Sequence, residues 1–263
     1  FKITTDAAGT SITADAGAAI NIVIKAYDGQ GIDNGGLGNL SIVYTGAKNL
    51  TFSGLNPSPV PSSVVSTCKG ATIDTNFGTP TPITFTSGSA NAVLKLYRVD
   101  SSIIKATASY EGTPAGTITV KNDIDGLSVI LKHAAADHLR FASNIPASVD
   151  AGVVFSLPAL NVMDAYDNLC SDVNGGDSYN TTTTIQKYAI AIEETYDPVN
   201  YTNKWPVTSV AFSNGVSTTP LDGNILYRAQ KTTIIPKAFD KDGTPSSEIT
   251  VKPGTVSKLS FIK

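Results

Sequence analysis

The sequence predicts an all-β chain folded as two tandem β-sandwich domains, and three observations carry that prediction. The chain repeats itself. Leu96-Tyr97-Arg98 returns as Leu226-Tyr227-Arg228, and Ile103-Ile104 returns as Ile234-Ile235. Gly112-Thr113-Pro114 with Ile118-Thr119-Val120-Lys121 returns as Gly243-Thr244-Pro245 with Ile249-Thr250-Val251-Lys252. The offset through these last blocks is constant (234 − 103 = 131 and 252 − 121 = 131). Short runs alternate apolar and polar residues with period two, the pattern of a strand with one face in a core. Thr, Ser, Gly, Ala, Val and Ile dominate while Met (1), Trp (1) and His (2) are scarce, which favours strands and turns over helix. Each repeat is of ordinary domain size and long enough to bury its own core. The boundary is expected after residue 128, giving residues 1–128 and 129–263.

The elements follow in order. Repeat one opens with a strand at 1–5 and a turn-rich stretch to Ala14-Asp15-Ala16-Gly17. Ile20, Ile22, Ile24 and Ala26 then alternate with Asn21, Val23, Lys25 and Tyr27, and Asp28-Gly29 ends that strand. Further strands are expected at 40–45, 83–86, 92–99, 103–110 and 117–121, with a Pro/Ser-rich surface loop at 56–66. Repeat two mirrors this with Val149-Asp150-Ala151-Gly152, a strand at 154–163 and the turn Asp164-Ala165-Tyr166-Asp167-Asn168. Pro158 sits inside that strand, and proline cannot donate to a ladder, so an edge or bulge is expected there. Counterpart strands are expected at 183–193, 208–212, 225–229, 233–239 and 248–252. The apolar run 127–131 is too long for an exposed linker and is read as an extra strand or a packed junction.

Ile20, Ile22, Ile24, Ile104, Ala106, Ile118 and Val120 are expected in one core, and Leu157, Ile235, Ile249 and Val251 in the other. After each closing block comes Leu-x-Phe, at Leu139-Arg140-Phe141 and at Leu259-Ser260-Phe261, and Phe1-Lys2-Ile3 continues the same junction. The chain is therefore expected to be two repeats of a longer array. Residue 263 would lie at the start of a further repeat, with the two ends at opposite poles of an elongated rod. An export signal would lie upstream of Phe1.

Asp15-Ala16-Gly17 with Tyr27-Asp28-Gly29, Asp150-Ala151-Gly152 with the Asp164–Asn168 turn, and the Ile-Thr-Val strands resemble bacterial immunoglobulin-like tandem repeats. These occur in invasin- and intimin-type adhesins and S-layer proteins. The resemblance implies two immunoglobulin-like β-sandwich domains and a cell-surface, extracellular setting. It brings no catalytic residues.

Composition narrows the chemistry. Charged residues make up 16% of the chain, with 19 basic against 22 acidic and a net charge of −3. No basic cluster matches a phosphate backbone, so nucleic acid is not an expected partner. No stretch has the apolar length of a membrane span. A hydrolase needs a nucleophile beside a base, and the histidines, His133 and His138, both fall between the repeats. Adjacent Glu193 and Glu194 would point to opposite faces of a strand, so they do not flank one bond. No catalytic residue is assigned and the chain is read as non-enzymatic.

Three kinds of site come forward. Asp164, Asp167, Asp172, Asn174 and Asp177 offer hard oxygen ligands around one turn and point to structural calcium, with Asp28, Asp33 and Asn34 in repeat one and Asp123 and Asp125 at the junction. The plainer reading is that Asp, Asn and Gly make turns. Tyr179, Tyr188, Tyr196, Tyr201 and Trp205 lie close together in the repeat-two insertion and would stack on glycans if exposed; core or cross-strand packing is the alternative. Cys68 and Cys170 are read either as a disulfide between repeats or as two separate buried thiols. Sequons at Asn39, Asn49, Asn180 and Asn200 would accept glycans in an exported chain. Expected partners are neighbouring repeats or copies of the same protein. The function expected is a structural module of a surface layer, stalk or filament, with an adhesin or carbohydrate-binding segment as the alternative.

Overall fold

The computed structural model describes residues 1–29, 37–110, 116–119, 125–185, 187–190, 195–197 and 201–255, with 109–110, 116–119, 187–190, 195–197 and 201 as backbone only. The chain divides into two compact units. Unit 1 holds Phe1–Ala134 and two downstream pieces, Tyr166–Asn168 and Val173–Gly176; unit 2 holds Ala135–Ala165, Leu169–Asp172 and Asp177–Lys263.

The strands of unit 1 are β1 (Lys2–Thr5), β2 (Ser11–Asp15), β3 (Ala19–Lys25), β4 (Gly46–Ser53), β5 (Thr67–Lys69), β6 (Asp74–Asn76), β7 (Pro80–Phe85), β8 (Ser89–Lys95), β9 (Ser101–Tyr110), β10 (Gly116–Thr119) and β11 (Leu127–Lys132). They form two sheets, β1-β3-β8-β5-β6 and β2-β11-β9-β4-β7, with β10 paired to β9. In immunoglobulin terms β1, β3, β8 and β5 are strands A, B, E and D, and β11, β9 and β4 are G, F and C. The period-two pattern does the sorting. Ile20, Ile22 and Ile24 of β3, Ala90, Ala92 and Leu94 of β8, Leu50 and Phe52 of β4, and Ile104 and Ala106 of β9 meet in one core. Ile118 (described in backbone only) and Val120 lie outside the residues whose side chains are described. Pro80 and Pro82 occupy the edge strand β7, where a residue without an N–H discourages further pairing.

Unit 2 continues with β12 (Ala136–Phe141), β13 (Ser148–Asp150), β14 (Val154–Leu157), β15 (Leu160–Asp164), β16 (Thr182–Thr184), β17 (Lys187–Ile190), β18 (Thr195–Asp197), β19 (Tyr201–Thr202), β20 (Ser209–Ser213), β21 (Val216–Ser217), β22 (Leu221–Ile225), β23 (Gln230–Thr232), β24 (Ile234–Ala238), β25 (Lys241–Asp242) and β26 (Ile249–Lys252). Its sheets are more broken, but the connections repeat. β13 pairs parallel with β26 as β2 does with β11. β26 pairs antiparallel with β23 as β11 does with β9. The second strand breaks at Pro158: β14 pairs β22 before it, and β15 pairs β12 after it. Leu139, Leu157, Leu160, Val210, Ile249 and Val251 belong to a second, separate core.

Four expectations change. The boundary falls after Ala134, later than 128, because Leu127, Val129 and Leu131 of β11 bury in the core of unit 1. That makes β11, not the Ile118-Thr119-Val120 block, the structural counterpart of β26; Ile118 and Thr119 of that block lie instead in β10, a hairpin return on β9. Residues 40–45 are not a strand: Leu40 makes an isolated bridge with Tyr27, Ile42 and Val43 are exposed, and the continuous ladder begins at β4. Finally, Ile234 rather than Ile235 faces the core. Burial follows an offset of 130 (226 − 96, 234 − 104, 238 − 108), so the extra residue of repeat two is absorbed after β24.

Candidate functional site

The feature both units build in the same way is a corner between the strand that pairs with the closing strand and the next strand of the sandwich. In unit 1, the amide of Gly17 donates to Leu96 O (2.7 Å), and that of Ala16 donates to Lys132 O (2.8 Å). In unit 2, Gly152 donates to Leu226 O (2.8 Å) and Ala151 to Lys252 O (2.9 Å). Both glycines have positive φ, 77° and 81°, a conformation that a side chain disfavours. Asp-Ala-Gly was visible in the sequence, as were the repeated Leu96 and Leu226; the pairing of the corner with Leu96, Leu226, Lys132 and Lys252 was not, since they lie at distant positions.

The corner of unit 1 is covered by the pieces Tyr166–Asn168 and Val173–Gly176 of the same unit. The Tyr166 ring packs on Tyr97 with centroids 4.8 Å apart. It lies so close to Gly17 that a Cβ there would sit 2.1 Å from the Tyr166 hydroxyl. The buried Asn168 side chain donates to Tyr97 O (2.8 Å) and accepts from Val99 N (2.9 Å), pairing with the chain as a strand would. Asp167 accepts from the backbone N–H of Ser62 (2.9 Å) and from its hydroxyl. Asn174 donates to Leu131 O (2.9 Å) and lies 3.3 Å from the Ser101 hydroxyl.

This bears on the calcium expectation. Of its five residues, Asp167 and Asn174 belong to unit 1 and direct their side chains at protein groups; Asp164, Asp172 and Asp177 belong to unit 2. Among the described residues no three His, Cys, Asp or Glu side chains are grouped to hold a metal ion. Asp125 is buried with one carboxylate oxygen unpartnered, while Asp33, Asn34 and Asp123 lie outside the described residues.

The aromatic insertion divides similarly. Tyr179 packs edge-on against Phe212 (5.7 Å) and Phe239 (5.8 Å), its hydroxyl 2.5 Å from that of Thr183. Trp205 packs against the core of unit 2. Both are half-buried, each packed on the core while part of the residue stays accessible. The side chains of Tyr188, Tyr196 and Tyr201 lie outside the described residues, as do Glu193 and Glu194.

Of the two readings of the cysteines, the structure has the separate buried thiols. Cys68 and Cys170 are free, fully buried, and members of different cores. Burial, with Asp74 near Cys68 and Asp164 near Cys170, pushes both thiols up to about 12, so neither is a nucleophile at neutral pH. His138 Nδ1 lies 3.2 Å from Asp137, which also pairs with Lys241. Burial pushes the Asp137 carboxyl up, but hydrogen bonds from Lys241 and His138 outweigh that and hold it below the usual carboxylate range.

No family model and no curated protein matches this chain. Solved structures do. Fibronectin(III)-like modules of Clostridium thermocellum CbhA are 13% identical, over 99% of this chain and 100% of that one, with a TM-score of 0.24. Domains 4 and 5 of the S-layer protein SbsC are 15% identical over 96% and 99%, with a TM-score of 0.28. Yersinia pseudotuberculosis InvD is 12% identical; all of this chain spans 60% of that one, with a TM-score of 0.30. Similarity at this level goes no further than the class of fold. Among the described residues no helix is long and apolar enough to cross a membrane.

Proposed function

We propose that this chain is a non-catalytic structural module of an extracellular tandem-repeat protein, part of a surface layer, stalk or filament. The observation that carries this is the duplicated corner: two separately cored sandwiches repeat the same Gly-to-Leu and Ala-to-Lys hydrogen bonds. A chain built by repeating one framework invests its sequence in strands and joints. The groups that chemistry would need point the same way, since both thiols are buried and His138 is engaged with an ion pair. In the adhesin or carbohydrate-binding alternative, Tyr179 and Trp205 are half-buried and pack against the core of unit 2.

An antibody raised against the chain tests the reading. On intact, unpermeabilised cells of the source organism it is expected to label the surface, and protease shaving should remove the signal. Labelling that appears only after permeabilisation would overturn the proposal. A glycan array tests the alternative, for which specific binding abolished by Trp205→Ala would be required.

A further inference from the structure

The two corners share a framework but differ in what covers them. In unit 1, Ala16 is buried and Gly17 is half-buried beneath Tyr166. In unit 2 the equivalent Gly152 is exposed, and the next two residues, Val153 and Val154, are 53% and 61% exposed. The corresponding residues of unit 1 are the small Ala18 and Ala19. Among the described residues, a Cβ on Gly152 would meet the Tyr227 ring, at 3.8 Å. Exposed valines beside a bare glycine and a half-buried tyrosine make an apolar patch where unit 1 has a seated aromatic ring. Exposed apolar patches of this sort mark interaction sites.

The sequence carries a second version of the segment that seats that ring. Ala165-Tyr166-Asp167-Asn168 follows β15, and Ala26-Tyr27-Asp28-Gly29 follows β3, the equivalent strand of unit 1. Asp28 and Gly29 are exposed and Tyr27 is half-buried. We propose that the corner of unit 2, formed by Gly152, Val153, Val154 and Tyr227, is a docking surface for the Ala26–Gly29 loop of a second copy of this chain. Tyr27 would take the place over Gly152 that Tyr166 takes over Gly17. The inference rests on the structural-module reading and names its partner.

Gly29 stands where the other loop has Asn168, so the two hydrogen bonds that Asn168 makes are not reproduced. The contact is therefore carried by the tyrosine ring and the valines, and it belongs to the small, transient class of interfaces. The two faces differ, so the contact is heterologous and copies join head to tail.

Cysteine cross-linking tests this, because Cys68 and Cys170 are buried and do not compete. Asp28→Cys and Val153→Cys chains, mixed and treated with a short bis-maleimide, are expected to give at least tenfold more heterodimer than Asp28→Cys mixed with Thr84→Cys. Thr84 is an exposed residue of β7. Tyr27→Ala in the first chain, or Val154→Glu in the second, should return the yield to the Thr84 level. The Val154→Glu change is at the surface and leaves the core intact, so the test stands even if Tyr27→Ala fails to fold. Equal yields for both pairs would overturn the docking surface. Sedimentation of the unmodified chain separates the two failures: self-association that persists despite equal yields leaves the structural reading standing with a different contact.

Discussion

Single residues decide how firmly each corner is held. Gly17→Ala combines a left-handed backbone with a collision against the Tyr166 ring, whereas Gly152→Ala has the backbone cost and, among the described residues, an ordinary contact with Tyr227. Both should destabilise, with Gly17→Ala the worse by about 1–3 kcal/mol, the usual range for overpacking, as read from urea denaturation midpoints. Asn168→Ala leaves Tyr97 O and Val99 N without partners, so a loss of about 1–3 kcal/mol is expected, confined to the transition of unit 1. Asp137 gives a pH signature. Its folded pKa is lowered, so its contribution to stability is present above the ordinary carboxylate value of about 3.9 and is lost as pH falls through the lowered one. The stability gap between the unmodified chain and Lys241→Ala should therefore be open at neutral pH and close in acid. A gap that widens in acid would contradict the assigned pair.

Strands show where sequence pattern suffices and where it does not. Ile20, Ile22 and Ile24 were legible because strict alternation assigns them a face whatever their partners. Pro158 was legible because its missing N–H acts locally, and the strand breaks there. Ile234 and Ile235 were not: both are isoleucine, and an offset of 131 places the wrong one inside. A one-residue slip moves every side chain to the opposite face, and only the pairing of β24 with β17 fixes it. Ile234→Ala should cost about 2–5 kcal/mol and Ile235→Ala distinctly less by chemical denaturation. The reverse order would restore the offset read from sequence. The run 127–131 was legible as an extra strand or packed junction, but not its role as the closing strand of unit 1, which rests on the parallel pairing of β11 with the distant β2.

At the scale of the whole molecule, repetition was legible and covering was not. Identical short blocks reveal a duplicated framework, but which corner carries a tyrosine depends on residues far apart in sequence, such as Gly17 with Tyr166 and Ser62 with Asp167. The surroundings of the candidate calcium turn were hidden for the same reason: clustering in sequence does not show that Asp167 and Asn174 turn to protein groups. The central claim is that the chain is a duplicated framework of two separately cored units. In each unit a strand near its start lies parallel to the strand near its end, β2 with β11 and β13 with β26. Pulling the ends of a unit apart loads those hydrogen bonds together, in shear, rather than one at a time. Single-molecule stretching tests this most directly, because forced unfolding reports the barrier of each unit. The account predicts two discrete unfolding events, each releasing roughly 40 nm of chain at the usual extended length per residue. A smooth extension with no force peak, or one event releasing the whole chain, would contradict it.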